Sequence, residues 1–209
     1  IPMIIDSTLI SNLWNAIVPN KVFVIRSSDL KPSTVAFSVP SDTLFRRMME
    51  ISDNFLAEQI LVLASSTLSD TLSSTNAIKH LLKNDLKTLK QQPRWVDGSG
   101  LSRYNLFTPI SFVEVLTKLY KTIPQERLFN LFPVGGKFGT IKDWYAGKVK
   151  PYVFAKTGTV GNNHNVSGYL VTNSGNVLVF SFMNNHFKKS NDEIRTQMQT
   201  TFEWLRDYY

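Results

Sequence analysis

The 209 residues, 43% hydrophobic and 12% aromatic, suffice for one globular domain with a real core and at most a small appendage. They contain no apolar run of about 18 residues that could span a membrane as a helix, no recognisable signal peptide and no cysteine, which excludes disulfides, thiolate nucleophiles and Cys-ligated metals. The net charge of +7 comes from scattered lysines and arginines with no RNA-binding or zinc-finger signature, so it reads as a basic surface and not as a nucleic-acid site.

Leu9, Ile10, Leu13, Trp14, Ile17 and Val18 recur at helical spacing behind Asp6 or Ser7 as N-cap, and Pro19-Asn20 ends that helix. Lys21 to Arg26 is β-rich and predicts a strand. Residues 27–40, with Pro32 and Pro40, read as a connection holding at most a short strand around Val35 to Phe37. Ser41-Asp42 then cap a short helix with Leu44, Phe45, Met48 and Met49 inward, and a second helix follows Asp53-Asn54. Three polar side chains, Ser52, Asp53 and Asn54, thus fall at a break between two apolar segments.

An amphipathic helix is predicted over 75–90, with its lysines and His80 on the solvated face. The glycine-punctuated loop Asp97 to Arg103 follows, then a helix started by Thr108-Pro109 and a short one from Pro124 to Leu131. Pro133 to Gly139 is a loop, and Thr140-Ile141-Lys142-Asp143 resembles a capping box for a helix closed by Gly147. Three strands follow, near 152–158, 165–173 and 176–184, the last two joined by the hairpin turn Asn173-Ser174-Gly175-Asn176. Ser190 and Glu193 form a capping box for a closing helix that buries Ile194, Met198, Phe202 and Leu205. Helices segregated beside an antiparallel sheet make the fold class α+β.

Two short stretches carry chemistry. In Val153-Phe154-Ala155-Lys156-Thr157-Gly158-Thr159, a strand ends in a cation, two hydroxyls and a glycine. Lys156 supplies charge and Thr157 and Thr159 directed hydrogen bonds for a carboxylate, while Gly158 leaves room for a ligand's backbone. In Ser52-Asp53-Asn54 the serine hydroxyl can pass a proton and the asparagine amide can both donate to and accept from a substrate amide. An ordinary strand end and an ordinary helix cap are the competing readings of these two stretches taken singly. His164, in Asn162-Asn163-His164-Asn165, reads as a turn residue near the Lys156 strand, and His186 as the start of a loop. No His pair has metal-ligand spacing and no phosphate loop is present, so neither metal nor cofactor is expected.

Taken in order, Ser-Asp-Asn with Phe-Leu-Ala-Glu-Gln, then Asp-Gly-Ser-Gly-Leu-Ser-Arg-Tyr-Asn, then Ala-Lys-Thr-Gly-Thr closely resemble one family. These are the class C low-molecular-mass penicillin-binding proteins, the D-alanyl-D-alanine carboxypeptidases and endopeptidases of the penicillin-binding protein 4 type. The resemblance covers about residues 38–185. It implies part of a β-lactamase/transpeptidase-like fold, a serine acyl-transfer reaction on peptidoglycan stem peptides, β-lactam binding and an extracytoplasmic, periplasmic home. It implies that Ser52 relays protons toward the leaving group and Asn54 holds the substrate amide. Lys156 would supply positive electrostatics and, with Thr157 and Thr159, bind the terminal carboxylate, the Thr159 N–H forming half of an oxyanion hole. The Asp97 to Arg103 loop contributes shape.

The family's nucleophile, the serine of a Ser-x-x-Lys segment, has no good counterpart. Ser28-Asp29-Leu30-Lys31 is the single match, and twenty serines and fifteen lysines make about one such spacing expected by chance. Pro32 disfavours a helical Lys31, where the family motif opens a helix. The chain opens Ile1-Pro2-Met3 without an initiator Met. The expectation is therefore the C-terminal part of a transpeptidase-like domain, with 1–40 a connecting segment, 41–209 the matched core and the nucleophile upstream of Ile1. Such a chain is expected to be inactive alone. The alternatives are a non-catalytic peptidoglycan-binding module on the same fold, and a β-lactamase or esterase relative.

Overall fold

The computed structural model describes residues 6–24, 37–68 and 71–209. It divides into two units, 1–38 and 39–209. In the first, helix α1 (Ser7–Ile17) starts at Asp6, whose Oδ1 accepts the Leu9 N–H at 2.7 Å. The strand expected from Lys21 is not formed over 21–24, and residues 25 and 26 lie outside the described residues. The Asn15 amide explains why: it accepts the Val22 N–H at 2.7 Å and donates to the Val22 carbonyl at 3.1 Å, taking both backbone groups a strand partner would use. The strand suggested around Val35 and the Ser28–Lys31 segment also fall outside the described residues, except for Phe37, which is not in a strand.

In the second unit, α2 (Ser41–Ile51) and α3 (Asn54–Ser65) meet at Ser52-Asp53. Pro40 occupies the N-cap of α2 with no side-chain hydrogen bond, so Ser41-Asp42 do not cap it; Asp42 instead takes a two-bond Arg127 ion pair at 2.8 Å. Helix α4 (Ser74–Lys83) stops seven residues short of the expected end at 90. The Asn84 side chain turns back to donate to the His80 carbonyl at 2.9 Å, and the Leu86 N–H bonds the Leu81 carbonyl at 2.8 Å, which breaks the helical ladder. Helix α5 (Pro109–Thr122) begins at the Thr108 cap with Pro109 in its first turn, and α6 (Gln125–Asn130) follows.

No helix forms over 140–147: residues Gly139–Ile141 make one 3₁₀ turn, and the Thr140 hydroxyl is engaged with Thr157 instead of capping. Strands β1 (Val153–Val160), β2 (Asn163–Val171) and β3 (Val177–Asn184) form an antiparallel sheet in the order β1-β2-β3. Helix α7 (Asn191–Tyr208) closes the chain behind the complete Ser190/Glu193 capping box.

The sheet has an apolar layer on each face, as its period-two alternation requires. One face carries Val153, Ala155, Val166 and Leu170 against Ile194, Met198 and Phe202 of α7. The other carries Tyr169 and Phe154 against Leu116 of α5 and Leu128 and Phe129 of α6, with Phe129 stacked on Phe154 at 4.4 Å. This is the α+β arrangement expected, and the two cores clamp β1 from both sides.

Candidate active site

Lys156 shares the face of Phe154, two residues before it on β1. Its Nζ donates to the Ser52 Oγ at 2.7 Å and to the Thr157 carbonyl at 2.6 Å, joining two residues 104 apart in the chain. Ser52 reaches it through an unusual backbone: as the C-cap of α2 it adopts φ 56 and ψ 51, the left-handed region that glycine normally fills. Asp53 takes the neighbouring structural duty, its Oδ1 capping α3 through the Leu56 N–H at 2.9 Å. Asn54 follows at the first position of α3 and is exposed.

The electrostatics of the pair are one-sided. Burial lowers the Lys156 pKa to about 8, and among the described residues no carboxylate lies within ion-pair distance of it. A partly buried ammonium without a counter-ion is costly, and an anionic ligand relieves that cost. The hydrogen-bond direction matters too. Because Ser52 Oγ accepts from the ammonium, its own proton stays available to donate.

The edge of β1 is covered only in its first half. The Gly135 N–H donates to the Val153 carbonyl and the Ala155 N–H to the Pro133 carbonyl, both at 3.0 Å. By alternation the N–H groups of Thr157 and Thr159 face the same edge, where among the described residues no strand pairs with them. The Thr157 hydroxyl donates to Thr140 Oγ1 at 2.8 Å, whereas Thr159 Oγ1 lies 2.7 Å from His164 Nδ1. Gly158 has open space where a Cβ would stand.

The Asp97 loop is tied to α3 through a residue that sequence reasoning passed over. Glu58 Oε2 accepts the Gly98 N–H at 2.6 Å and the Ser99 N–H at 3.2 Å. Burial raises the Asp97 pKa, but hydrogen bonds from Asn105, Gly100, Ser99 and Ser102 outweigh it and hold the carboxyl below its ordinary range. The co-occurrence of Glu58 with the Asp-Gly-Ser-Gly stretch was the available signal. His80 and His186 are exposed, as their positions suggested, but His164 is not a turn residue: it lies in β2 and is 1% exposed. Among the described residues no three His, Cys, Asp or Glu side chains converge as metal ligands would.

A family model described as the D-Ala-D-Ala carboxypeptidase 3 (S13) family matches residues 18–208. D-alanyl-D-alanine carboxypeptidase DacB of Haemophilus influenzae is 29% identical over 185 residues, 82% of this chain and 37% of that protein. Carboxypeptidase DacB of Mycolicibacterium smegmatis is 30% identical over 180 residues, 80% of this chain and 39% of that protein. The chain thus spans under two fifths of the first relative's length and about two fifths of the second's. Among solved structures, penicillin binding protein 4 from H. influenzae, complexed with a β-lactam, aligns with a TM-score of 0.69 at 24% identity, covering 79% of this chain and 41% of that one. A predatory peptidoglycan endopeptidase from Bdellovibrio bacteriovorus aligns with a TM-score of 0.63 at 21% identity, covering 80% and 43%. These two likenesses establish the fold.

Proposed function

We propose a function on the premise that this chain belongs to the D-Ala-D-Ala carboxypeptidase 3 (S13) family: it forms one wall of a serine acyl-transfer site that cleaves D-Ala-D-Ala-type peptide bonds in peptidoglycan stem peptides. The observation that carries this is the 2.7 Å bond between Lys156 Nζ and Ser52 Oγ, which brings two of the family's motifs into one site.

Each residue then has a physically definable task. Lys156 holds positive potential where the substrate's terminal carboxylate and the developing negative charge gather. Ser52, fixed by the ammonium, donates its proton to the departing amine nitrogen and recovers one from the nucleophile's side. Asn54 hydrogen-bonds the substrate amide with either end of its own amide. Thr157 and Thr159 offer hydroxyls to the carboxylate, Gly158 lets the peptide approach the strand, and the Thr159 N–H on the open edge supplies one oxyanion donor. β-Lactams acylate the same site. The nucleophile belongs to a Ser-x-x-Lys segment outside these 209 residues, and the reaction takes place outside the cytoplasm, where the polymer is.

Intact-mass measurement after incubation with penicillin tests this. The full-length protein gains one adduct on a serine outside the 209 residues, and the isolated chain gains none. An adduct on the isolated chain overturns the assignment of the nucleophile. A full-length protein that is never acylated favours the non-catalytic binding module instead.

A further inference from the structure

One buried titratable side chain stands directly behind this site without a part in it. His164 is the register partner of Thr159 across β1 and β2, and on its other side the register partner of Asn184 on β3. Paired residues present their side chains to the same face with Cβ atoms about 5 Å apart, so Thr159, His164 and Asn184 make one row across the sheet. His164 is 1% exposed, while Thr159 at the end of the row is exposed. His164 Nδ1 meets Thr159 Oγ1 at 2.7 Å. His164 Nε2 is buried with no hydrogen-bond partner among the described residues, and so is Asn184 Nδ2.

The direction of the 2.7 Å bond is set by the tautomer of the ring. Burial and the nearby Arg195 charge keep the imidazole below its ordinary pKa, so near pH 7 the ring is neutral, with one N–H and one lone pair. One of the two tautomers puts the N–H on Nδ1 and leaves the lone pair on Nε2. In that tautomer Nδ1 donates to Thr159 Oγ1, and the threonine's own proton is left over at the exposed end. In the other tautomer Thr159 spends its proton on Nδ1 and presents only lone pairs, which repel a carboxylate. The neighbouring Thr157 hydroxyl donates to Thr140 and has to exchange that bond to reach the carboxylate.

We infer that His164 is a positioning residue that holds the Thr159 hydroxyl as a hydrogen-bond donor toward an anionic ligand group. The inference rests on the reading of Thr159 as part of a carboxylate cradle, so the ligand group is the terminal carboxylate of a D-Ala-D-Ala peptide. It acts through Thr159 and touches no substrate atom itself.

Two measurements on the full-length protein separate the inference from the reading beneath it. The first is the ring ¹⁵N chemical shifts of labelled His164, assigned by their loss in His164→Asn. They are expected to show the Nδ1–H tautomer, and an Nε2–H tautomer overturns the inference whatever the kinetics. The second compares hydrolysis of a D-Ala-D-Ala peptide with that of its C-terminal amide. His164→Leu is expected to lower kcat/KM for the carboxylate peptide about tenfold, through KM, and to leave the amide unchanged. His164→Asn, which keeps an N–H near the place of Nδ1, recovers most of the loss, and Thr159→Val combined with His164→Leu loses no more than Thr159→Val alone. Equal loss on both peptides without recovery by asparagine shows a merely structural histidine and overturns the inference. Should Thr159→Val itself fail to distinguish the two peptides, the cradle reading falls, and with it the role of His164, while the tautomer measurement still reports the bond's direction.

Discussion

At the scale of single residues, Ser52 and Lys156 are both held at a cost. A non-glycine residue in the left-handed region costs roughly 1 kcal/mol, and Ser52 bears that cost at φ 56. Ser52→Gly removes the strain together with the hydroxyl, whereas Ser52→Ala removes only the hydroxyl. Urea unfolding is therefore expected to place Ser52→Gly about 1 kcal/mol above Ser52→Ala, while penicillin acylation of the full-length protein falls equally in both. Acylation that survives in either variant removes Ser52 from the proton path. Lys156 makes a pH prediction. Its pKa falls from 10.5 in the unfolded chain to about 8 in the fold, so between those values the unfolded chain holds a proton that the folded one has shed. Stability rises with pH across that window, and below pH 8 the full penalty, on the order of 3 kcal/mol, is present. Affinity for a carboxylate ligand moves the opposite way, weakening as the ammonium titrates near pH 8. Lys156→Met is expected to flatten both profiles, and unfolding and ligand-competition series from pH 6 to 11 check them together.

At the scale of elements, the Asp97 loop shows why a motif can be legible while its purpose is not. Its glycines announced a turn, but nothing local says that Gly98 must press against α3, where a Cβ would stand 3.0 Å from the Ala57 carbonyl and from Leu61. Gly98→Ala is expected to lift the loop from α3 and cost about 1–3 kcal/mol, with faster proteolysis at 97–105 than in the parent. Unchanged protection would mean that Glu58 alone holds the loop. The same division runs through the other elements. Helices whose ends are written in local chemistry were readable: Asp6, Asp53, Thr108 and Ser190 each cap a helix with their own side chain. Elements decided by a distant or competing partner were not. Asn15 takes the backbone of Val22 that composition assigned to a strand, and Thr140 leaves its helix start for Thr157. His164 looked like a turn residue because Asn162-Asn163-His164-Asn165 is rich in turn-forming asparagine, yet Asn163 already pairs with Val160, and β2 begins there.

At the scale of the whole second unit, the sheet is the spine between two apolar layers, and at Gly168 β1 leaves no room for a side chain on β2. A Cβ there would fall inside contact distance of the Phe154 carbonyl and the Ala155 Cα, both backbone atoms of β1. A side chain can be met by a neighbour's rotation, but backbone must move. Pushing β1 away from β2 shifts Ala155 in the layer under α7 and Phe154 in the layer under α6 together, because alternate residues of one strand serve the two layers. It also carries Lys156, which lies between Ala155 and Thr157, away from Ser52. Gly168→Ala is therefore expected to cost about 3 kcal/mol or more and to remove penicillin acylation in the molecules that stay folded. Gly175 provides the contrast. At the tip of the β2–β3 turn a Cβ meets open space, and only its φ of +92 resists substitution. Gly175→Ala is expected to cost about 1 kcal/mol and to leave acylation intact. Urea midpoints and acylation rates measured on both variants decide it: equal effects would mean that the sheet yields at Gly168, and that the Ser52–Lys156 distance is set by α2 and not by the packing of β1 on β2.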